Sequence, residues 1–333
     1  MKENEGGVNR PLLISPFSFP LLIFPSHFMS WILIVEQSLN GLQFGLMLFL
    51  LAAGLTLVFG IMDMINLAHG SLYMLGAFLA ATLVQATGSF AAGVLLAIPA
   101  TAVLGMLLEM SVLRTLYARD HLSQVLATFA LILIFNEAVR IIWGPDVPLS
   151  VPAALSGPVQ LLPGMVYPAY RLLIIGVGAA VAGALYLLVA RTRIGMLVRA
   201  GASNREMALA MGVNIPWLFT LLFGVGAGLC AVAGALLGPL FAVQVGMGEN
   251  ILILAFVVIV IGGIGSIRGA LVGSLLVGVV DTIGRAFLPL LFGIFFQPRV
   301  ASAAGPAIAS VLVYLLMTVV LYVKPQGLFP ARG

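Results

Sequence analysis

Stretches without a single Asp, Glu, Lys or Arg run over 37–62, 64–108, 172–190, 207–248, 250–267 and 300–323. A helix that crosses a bilayer needs roughly 20 apolar residues at about 1.5 Å each. Cut at their polar and glycine-rich punctuation, these runs predict spans at 37–60, 62–86, 89–110, 122–143, 170–190, 216–240, 250–267, 268–288 and 304–323. The seventh and eighth share one glycine-rich turn, GGIGSIRG at 262–269. The segment around His69 reads as broken or re-entrant, because polar residues interrupt it. The pattern specifies an all-α polytopic membrane protein of about eight to ten transmembrane or re-entrant helices. A β-barrel is excluded, since its strands alternate polar and apolar positions.

Composition agrees. The 333 residues are 62% hydrophobic and 8% charged, against about 45–50% and about 25% in soluble domains. Glycine pairs at Gly41/Gly45, Gly224/Gly228, Gly234/Gly238 and Gly269/Gly273 have the spacing that lets helix backbones approach closely. Two helix starts, HGSL at 69–72 and RGAL at 268–271, hint at an internal duplication. Cys230, the one cysteine, lies in an apolar run and reads as a small hydrophobe.

Basic residues orient the chain. Placing 191–215 in the cytoplasm puts Arg114, Arg119, Arg268, Lys324 and Arg332 on the same side as Arg191, Arg193, Arg199 and Arg205. That side then holds most of the 15 Lys and Arg residues, as the positive-inside rule expects. The proline-rich segment 144–169 becomes an extended external loop. Three parts follow: an N-terminal leader 1–35, a transmembrane region 36–323 and a cytoplasmic tail 324–333. The leader is broken by Pro11, Pro16, Pro20 and Pro25, which oppose a regular helix. Translation from Met29 would make 1–28 non-native.

Several chemistries are excluded by what is missing. Neither lysine, Lys2 or Lys324, sits in a G-x-x-x-x-G-K-[ST] loop, so this chain is not itself a P-loop ATPase. The three histidines are far apart, without H-E-x-x-H or a Cys/His cluster, which argues against zinc. No G-x-S-x-G elbow is present. The formal charge of +4 does not suggest nucleic acid.

The window RTRIGMLVRAGASNREMALAMGVNI (191–215) concentrates charge in an apolar chain. Ser203 as N-cap with Glu206 three residues on reads as a capping box. It predicts a helix over 204–211 that stops at Gly212, with Met207, Ala208 and Met211 forming an apolar patch. So short a helix is not stable alone. Two readings stand: arginines that only enforce topology and touch headgroups, or a docking helix for a cytoplasmic protein.

Here a family resemblance enters. The stretch TRIGMLVRAGASNREMALAMGVNI (192–215) resembles the cytoplasmic coupling loop of permeases of ATP-binding-cassette importers, in the version of the branched-chain amino-acid permeases of the LivH type. So do GLTLVFGIMDMINLAHGSLYMLGAF (54–78), NEAVRIIWGPD (136–146), AFVVIVIGGIGSIRGALVG (255–273) and KPQGLFP (324–330). The resemblance spans roughly 30–330. Arg268 departs from it, standing where the family usually has an uncharged residue, and so does the leader.

The resemblance implies a permease subunit, not an enzyme, in a bacterial inner (plasma) membrane, carrying leucine, isoleucine or valine. It implies a second homologous permease subunit, two cytoplasmic ATPase subunits that use ATP and magnesium, and an extracytoplasmic solute-binding protein. This chain would bind no cofactor, no metal and no nucleic acid, and would have no catalytic residue. Coupling to the ATPase would fall on Arg199, Ala200, Asn204, Glu206, Met207, Ala208, Met211 and Gly212. Permeases of related systems carry other amino acids, amides or urea, and a self-sufficient secondary transporter is the rival class.

Translocation candidates come from polarity at membrane depth. Asp63, Asn66, His69 and Gly70 lie in MDMINLAHG, and Asn136 near the outer end of its span. Asn66 and His69, three residues apart, are expected to share a helix face. Polar groups there either bond another helix or line a cavity. A chain break near 66–70 would offer free N–H groups to a substrate carboxylate. The pairs Glu137/Arg140 and Asp281/Arg285 read as structural.

Overall fold

A computed structural model describes residues 26–62 and 64–329. The leader residues 1–25, Asp63 and the tail residues 330–333, including Arg332, lie outside the described residues.

Among the described residues eight helices are long and apolar enough to cross a membrane. They are α1 (Ser26–Met62), α2 (His69–Thr87), α3 (Phe90–Leu108), α5 (His121–Trp143), α6 (Ala169–Arg191), α9 (Ile215–Phe241), α11 (Ile267–Phe295) and α12 (Pro298–Val323). Helix α3 continues through a π-turn at Glu109–Leu113 into the short α4 (Arg114–Leu116). Two short helices, α7 (Arg193–Ser203) and α8 (Arg205–Ala210), fill the basic loop, and α10 (Met247–Gly262) is a shorter apolar helix.

The differences from the expected spans have local causes. The predicted span 62–86 does not begin at 62, because the chain leaves the helix after Met62 and resumes at His69. The predicted span 250–267 ends at Gly262, where Gly263 (φ 103°) and Gly265 (φ 79°) take left-handed backbone that stops a helix. Helix α1 begins at Ser26, so the boundary drawn at 35 falls inside it.

Three helices form the interior. In their most apolar stretches α9 is 89% buried, α1 83% and α2 61%, whereas α3, α5, α6, α11 and α12 are 22% or less. Apolar side chains gain little by leaving lipid for protein, so close backbone packing must hold such a bundle. Gly41 and Gly45 of α1 lie against α11 at Gly278 and Ser274. Gly234 of α9 lies on the Tyr73 carbonyl of α2, and Gly224 on Met106 of α3. The two similar tetrapeptides both open helices. Gly70 of α2 packs on Gly248, and Gly269 of α11 on Gly262, at opposite ends of α10.

The proline-rich loop after α5 is partly ordered as strand. β1 (Asp146–Val147) pairs antiparallel with β4 (Val243–Gln244), and β2 (Pro158–Leu162) with β3 (Met165–Pro168). Tyr167 closes the hairpin onto the bundle: its hydroxyl donates to Asn40 Oδ1 over 2.9 Å, and the Arg171 guanidinium donates to the same oxygen. Burial raises the Tyr167 phenol above its ordinary value, with Arg171 acting in the opposite direction.

Candidate translocation and coupling sites

The basic loop is a succession of capped helix starts. Thr192 is extended and its hydroxyl accepts from Gly195 N (3.2 Å), which starts α7. Gly195 is tucked against the Leu188 and Val189 carbonyls, where a Cβ has no room. That contact folds α7 back on the end of α6, and the Arg199 guanidinium donates to the same Val189 carbonyl. Asn204 is extended and accepts from Met207 N (2.9 Å), starting α8. Gly212 (φ 84°) ends it, with Gly212 N donating to Leu209 O and Val213 N to Ala208 O. Asn214 then caps α9 by accepting from Trp217 N (3.1 Å).

Two expectations are corrected. The capping box at Ser203 and Glu206 does not form. Helix α7 runs through Ser203, which leaves Asn204 as the extended residue that caps. The patch Met207, Ala208 and Met211 is not one face either: Ala208 is buried at 5% exposure, while Met207, Leu209 and Met211 are 60%, 49% and 79% exposed. Leu209 was not singled out, and it completes the outward apolar surface of α8. Ala200 and Glu206 are also exposed.

The break between α1 and α2 sits deep in the bundle. His69 lies at the level of Gly54 of α1 and of Gly226 and Cys230 of α9. Cys230 is roughly 20 Å from either end of α9 at about 1.5 Å per residue. Helix α2 therefore starts near mid-depth. Asn66 precedes the helix rather than sharing a face with His69, because its Oδ1 turns to accept from Ala68 N (3.0 Å). Ile65 N donates to Gln124 Oε1 of α5 (3.4 Å). His69 Nε2 is 3.1 Å from Cys230 Sγ, and its ring meets Phe223 edge-on. Asn66 and His69 are both fully buried, and Asn66 Nδ2 and His69 Nδ1 have no hydrogen-bond partner among the described residues. Gly70 follows, against Gly248.

Asn136 is brought elsewhere. Its Nδ2 donates to Glu249 Oε1 of α10 over 2.6 Å, so it ties α5 to the start of α10 instead of joining Asn66 and His69. The ion pairs Glu137–Arg140 (3.5 Å) and Asp281–Arg285 (2.8 Å) form as read.

One polar centre was missed. Glu109, fully buried, accepts from Arg114 Nη2 (3.0 Å), Tyr117 Oη (2.9 Å) and Thr220 Oγ1 (2.6 Å). Five α-helical residues place two side chains about 140° apart, so Arg114 is no α-helical partner for Glu109. The π-turn at Glu109–Leu113 supplies the extra residue that brings them together. The centre joins the C-terminal end of α3 to the second turn of α9.

Membrane-length helices around a buried polar break, with an exposed apolar helix at the basic end, have the architecture of a multi-pass membrane protein. Comparison with known proteins narrows this. The family model for the branched-chain amino acid transport system, permease component, matches residues 37–321. The chain belongs to that family. It is 31% identical over 311 residues to the high-affinity branched-chain amino acid transport system permease protein BraD of Pseudomonas aeruginosa, covering 88% of this chain and 95% of that protein. It is 28% identical over 310 residues to the LivH protein of Salmonella typhimurium, covering 88% and 94%. A probable LivH permease of Methanocaldococcus jannaschii is 27% identical over 297 residues, covering 85% and 88%. No solved structure matches.

Proposed function

We propose that this chain, a multi-pass protein of the bacterial inner membrane, forms the translocation path for leucine, isoleucine and valine in an ATP-driven importer. It works with a second permease subunit of the same family. Two cytoplasmic ATPase subunits bind ATP and magnesium and hydrolyse the nucleotide, and an extracytoplasmic binding protein delivers the amino acid.

The observation that carries the reading is α8. A six-residue helix with a cap at each end turns Met207, Leu209 and Met211 outward at the basic end of the bundle. Such a helix is too short to persist without support. An exposed apolar knob on rigid caps suits a groove on a cytoplasmic subunit. A push on α8 reaches α9 through Asn214 and α3 through the Glu109 centre. Helix α9 in turn carries Cys230 and Gly226 against His69. Two packings of these interior helices would give outward-open and inward-open states. In that scheme Asn66, His69 and Gly70, with the N–H groups opening α2, are the polar step that a zwitterionic amino acid meets at mid-depth.

A self-sufficient transporter driven by protons or sodium needs available acidic groups inside the spans. The described candidates are engaged: Glu109 with Arg114, Tyr117 and Thr220, Glu249 with Asn136, and Asp281 with Arg285. The test is site-specific cross-linking. With Met211→Cys in the assembled transporter, a short bifunctional thiol reagent should join this chain to an ATPase subunit carrying a cysteine in its docking groove. Cross-linking that occurs equally from an outer-loop cysteine such as Val159→Cys removes the support for α8 as the docking element.

A further inference from the structure

A cleft of about 790 Å³ opens at the inner end of the bundle, walled by α1, α6, α7, the start of α11 and the tail segment. Two arginines line it, Arg199 from α7 and Arg268 from α11. Arg268 lies 5.9 Å from the centroid of the Tyr186 ring, and Arg199 donates to the Val189 carbonyl. Among the described residues neither arginine has an ion-pair partner, and no acidic side chain lines the cleft.

Three further features point the same way. The first turn of α11 faces the cleft at Ile267 and Arg268, and Ser266 caps it by accepting from Gly269 N (3.1 Å). The helix start therefore adds partial positive charge and free N–H groups. Thr56, in the lining, is 1% exposed, and its hydroxyl has no hydrogen-bond partner among the described residues. The rest of the lining is largely apolar, including Leu57, Val189 and Leu328.

We propose that this cleft is an anion site for a phosphate group, held between Arg199 and Arg268 at the start of α11. Among the described residues the lining holds no carboxylate, which disfavours a zwitterion, whose ammonium would have no partner there, and favours a net anion. Arginine pairs bind phosphate through several N–H groups at once. An apolar wall beneath a basic rim on the cytoplasmic side suits the headgroup and upper chain of an anionic phospholipid. Free inorganic phosphate shares the same chemistry. The lining includes none of Asn66, His69 and Gly70, and the inference does not depend on what the permease carries.

The test uses the full chain in nanodiscs of phosphatidylcholine, with or without phosphatidylglycerol, and compares wild type with the Arg199→Gln/Arg268→Gln variant. Arg199→Lys/Arg268→Lys keeps the charge, and Arg299→Gln removes an arginine elsewhere. Native mass spectrometry should show phosphatidylglycerol retained by wild type and by Arg299→Gln. Retention should fall about tenfold or more in the double Gln variant, the effect of losing one or two charge-assisted contacts, with partial recovery in the Lys variant. In phosphatidylcholine alone, inorganic phosphate is titrated against thermal unfolding. Stabilisation of wild type but not of the Gln variant, without selective lipid retention, would assign the site to a soluble phosphate. Equal lipid retention and equal phosphate response in wild type and a folded Gln variant would overturn the proposal.

Discussion

Replacing Glu109 by alanine probes the link between the coupling loop and the bundle. The carboxylate is fully buried, and three donors converge on it. Removal does not strand all three equally. Thr220 also reaches the Pro216 carbonyl (3.0 Å), so its hydroxyl keeps a partner. The Arg114 side chain is 40% exposed, so it rehydrates and its ion pair is worth about 1 kcal/mol or less. Tyr117 loses a bond to a charged acceptor, about 1.5–3 kcal/mol. The vacated volume adds about 1 kcal/mol. The total is about 3–5 kcal/mol. Glu109→Gln keeps the packing and one acceptor oxygen, and should cost about 1–2 kcal/mol. Unfolding in detergent titrated with sodium dodecyl sulfate, followed by far-ultraviolet circular dichroism, reads both. A Glu109→Ala protein within about 0.5 kcal/mol of wild type, or one more stable than Glu109→Gln, would refute this view of the centre.

Other perturbations separate docking from folding. Met211→Glu puts a charge on the exposed residue that ends α8 and should cut ATP-driven uptake by about tenfold or more with normal membrane levels. Ala208→Arg should instead lower the amount of folded protein, read by immunoblot of detergent extracts, because Ala208 is buried. Gly70→Val drives a side chain into the Gly248 backbone, and should destabilise the bundle by about 2–4 kcal/mol in the same detergent titration. Asp120 caps α5, and its carboxyl is held below the ordinary 3.8, first by the Ser123 hydroxyl and then by the Ser123 N–H. A depressed folded value means the contribution is full above the ordinary range and is lost as pH falls through the folded value. Amides at the start of α5 should lose exchange protection, relative to intrinsic rates, below about pH 4, and Asp120→Asn should remove that pH dependence.

Much of this architecture was legible because charge-free runs of membrane length have few alternatives. The break before α2 was legible as well, since Asn66 and His69 are polar where the flanking sequence is not. What escaped depends on tertiary fit. Ser203 and Asn204 are both good caps, and the choice between them rests on where α7 ends. Helix α7 runs through Ser203 and leaves Asn204 extended, which cap preference alone does not distinguish. A six-residue helix has too few positions for a periodicity, so the inward turn of Ala208 and the outward turn of Leu209 could not be read. The Glu109 centre needs a π-turn to bring residues five apart together, and no sequence spacing rule for α-helices reveals it. Asn136 was placed near the correct end of its span, but its partner Glu249 lies on a different helix.

The central claim is that this chain conducts branched-chain amino acids when driven by separate ATPase subunits that press on α8. The most direct measurement is uptake of radiolabelled leucine into proteoliposomes holding the purified transporter, with its binding protein on the outside and ATP with magnesium enclosed. The account predicts accumulation that requires ATP and the binding protein, is competed by isoleucine and valine, and is lost with Met211→Glu while the subunit remains in the membrane. Leucine uptake by this chain alone, driven by a proton or sodium gradient without ATP, would contradict it.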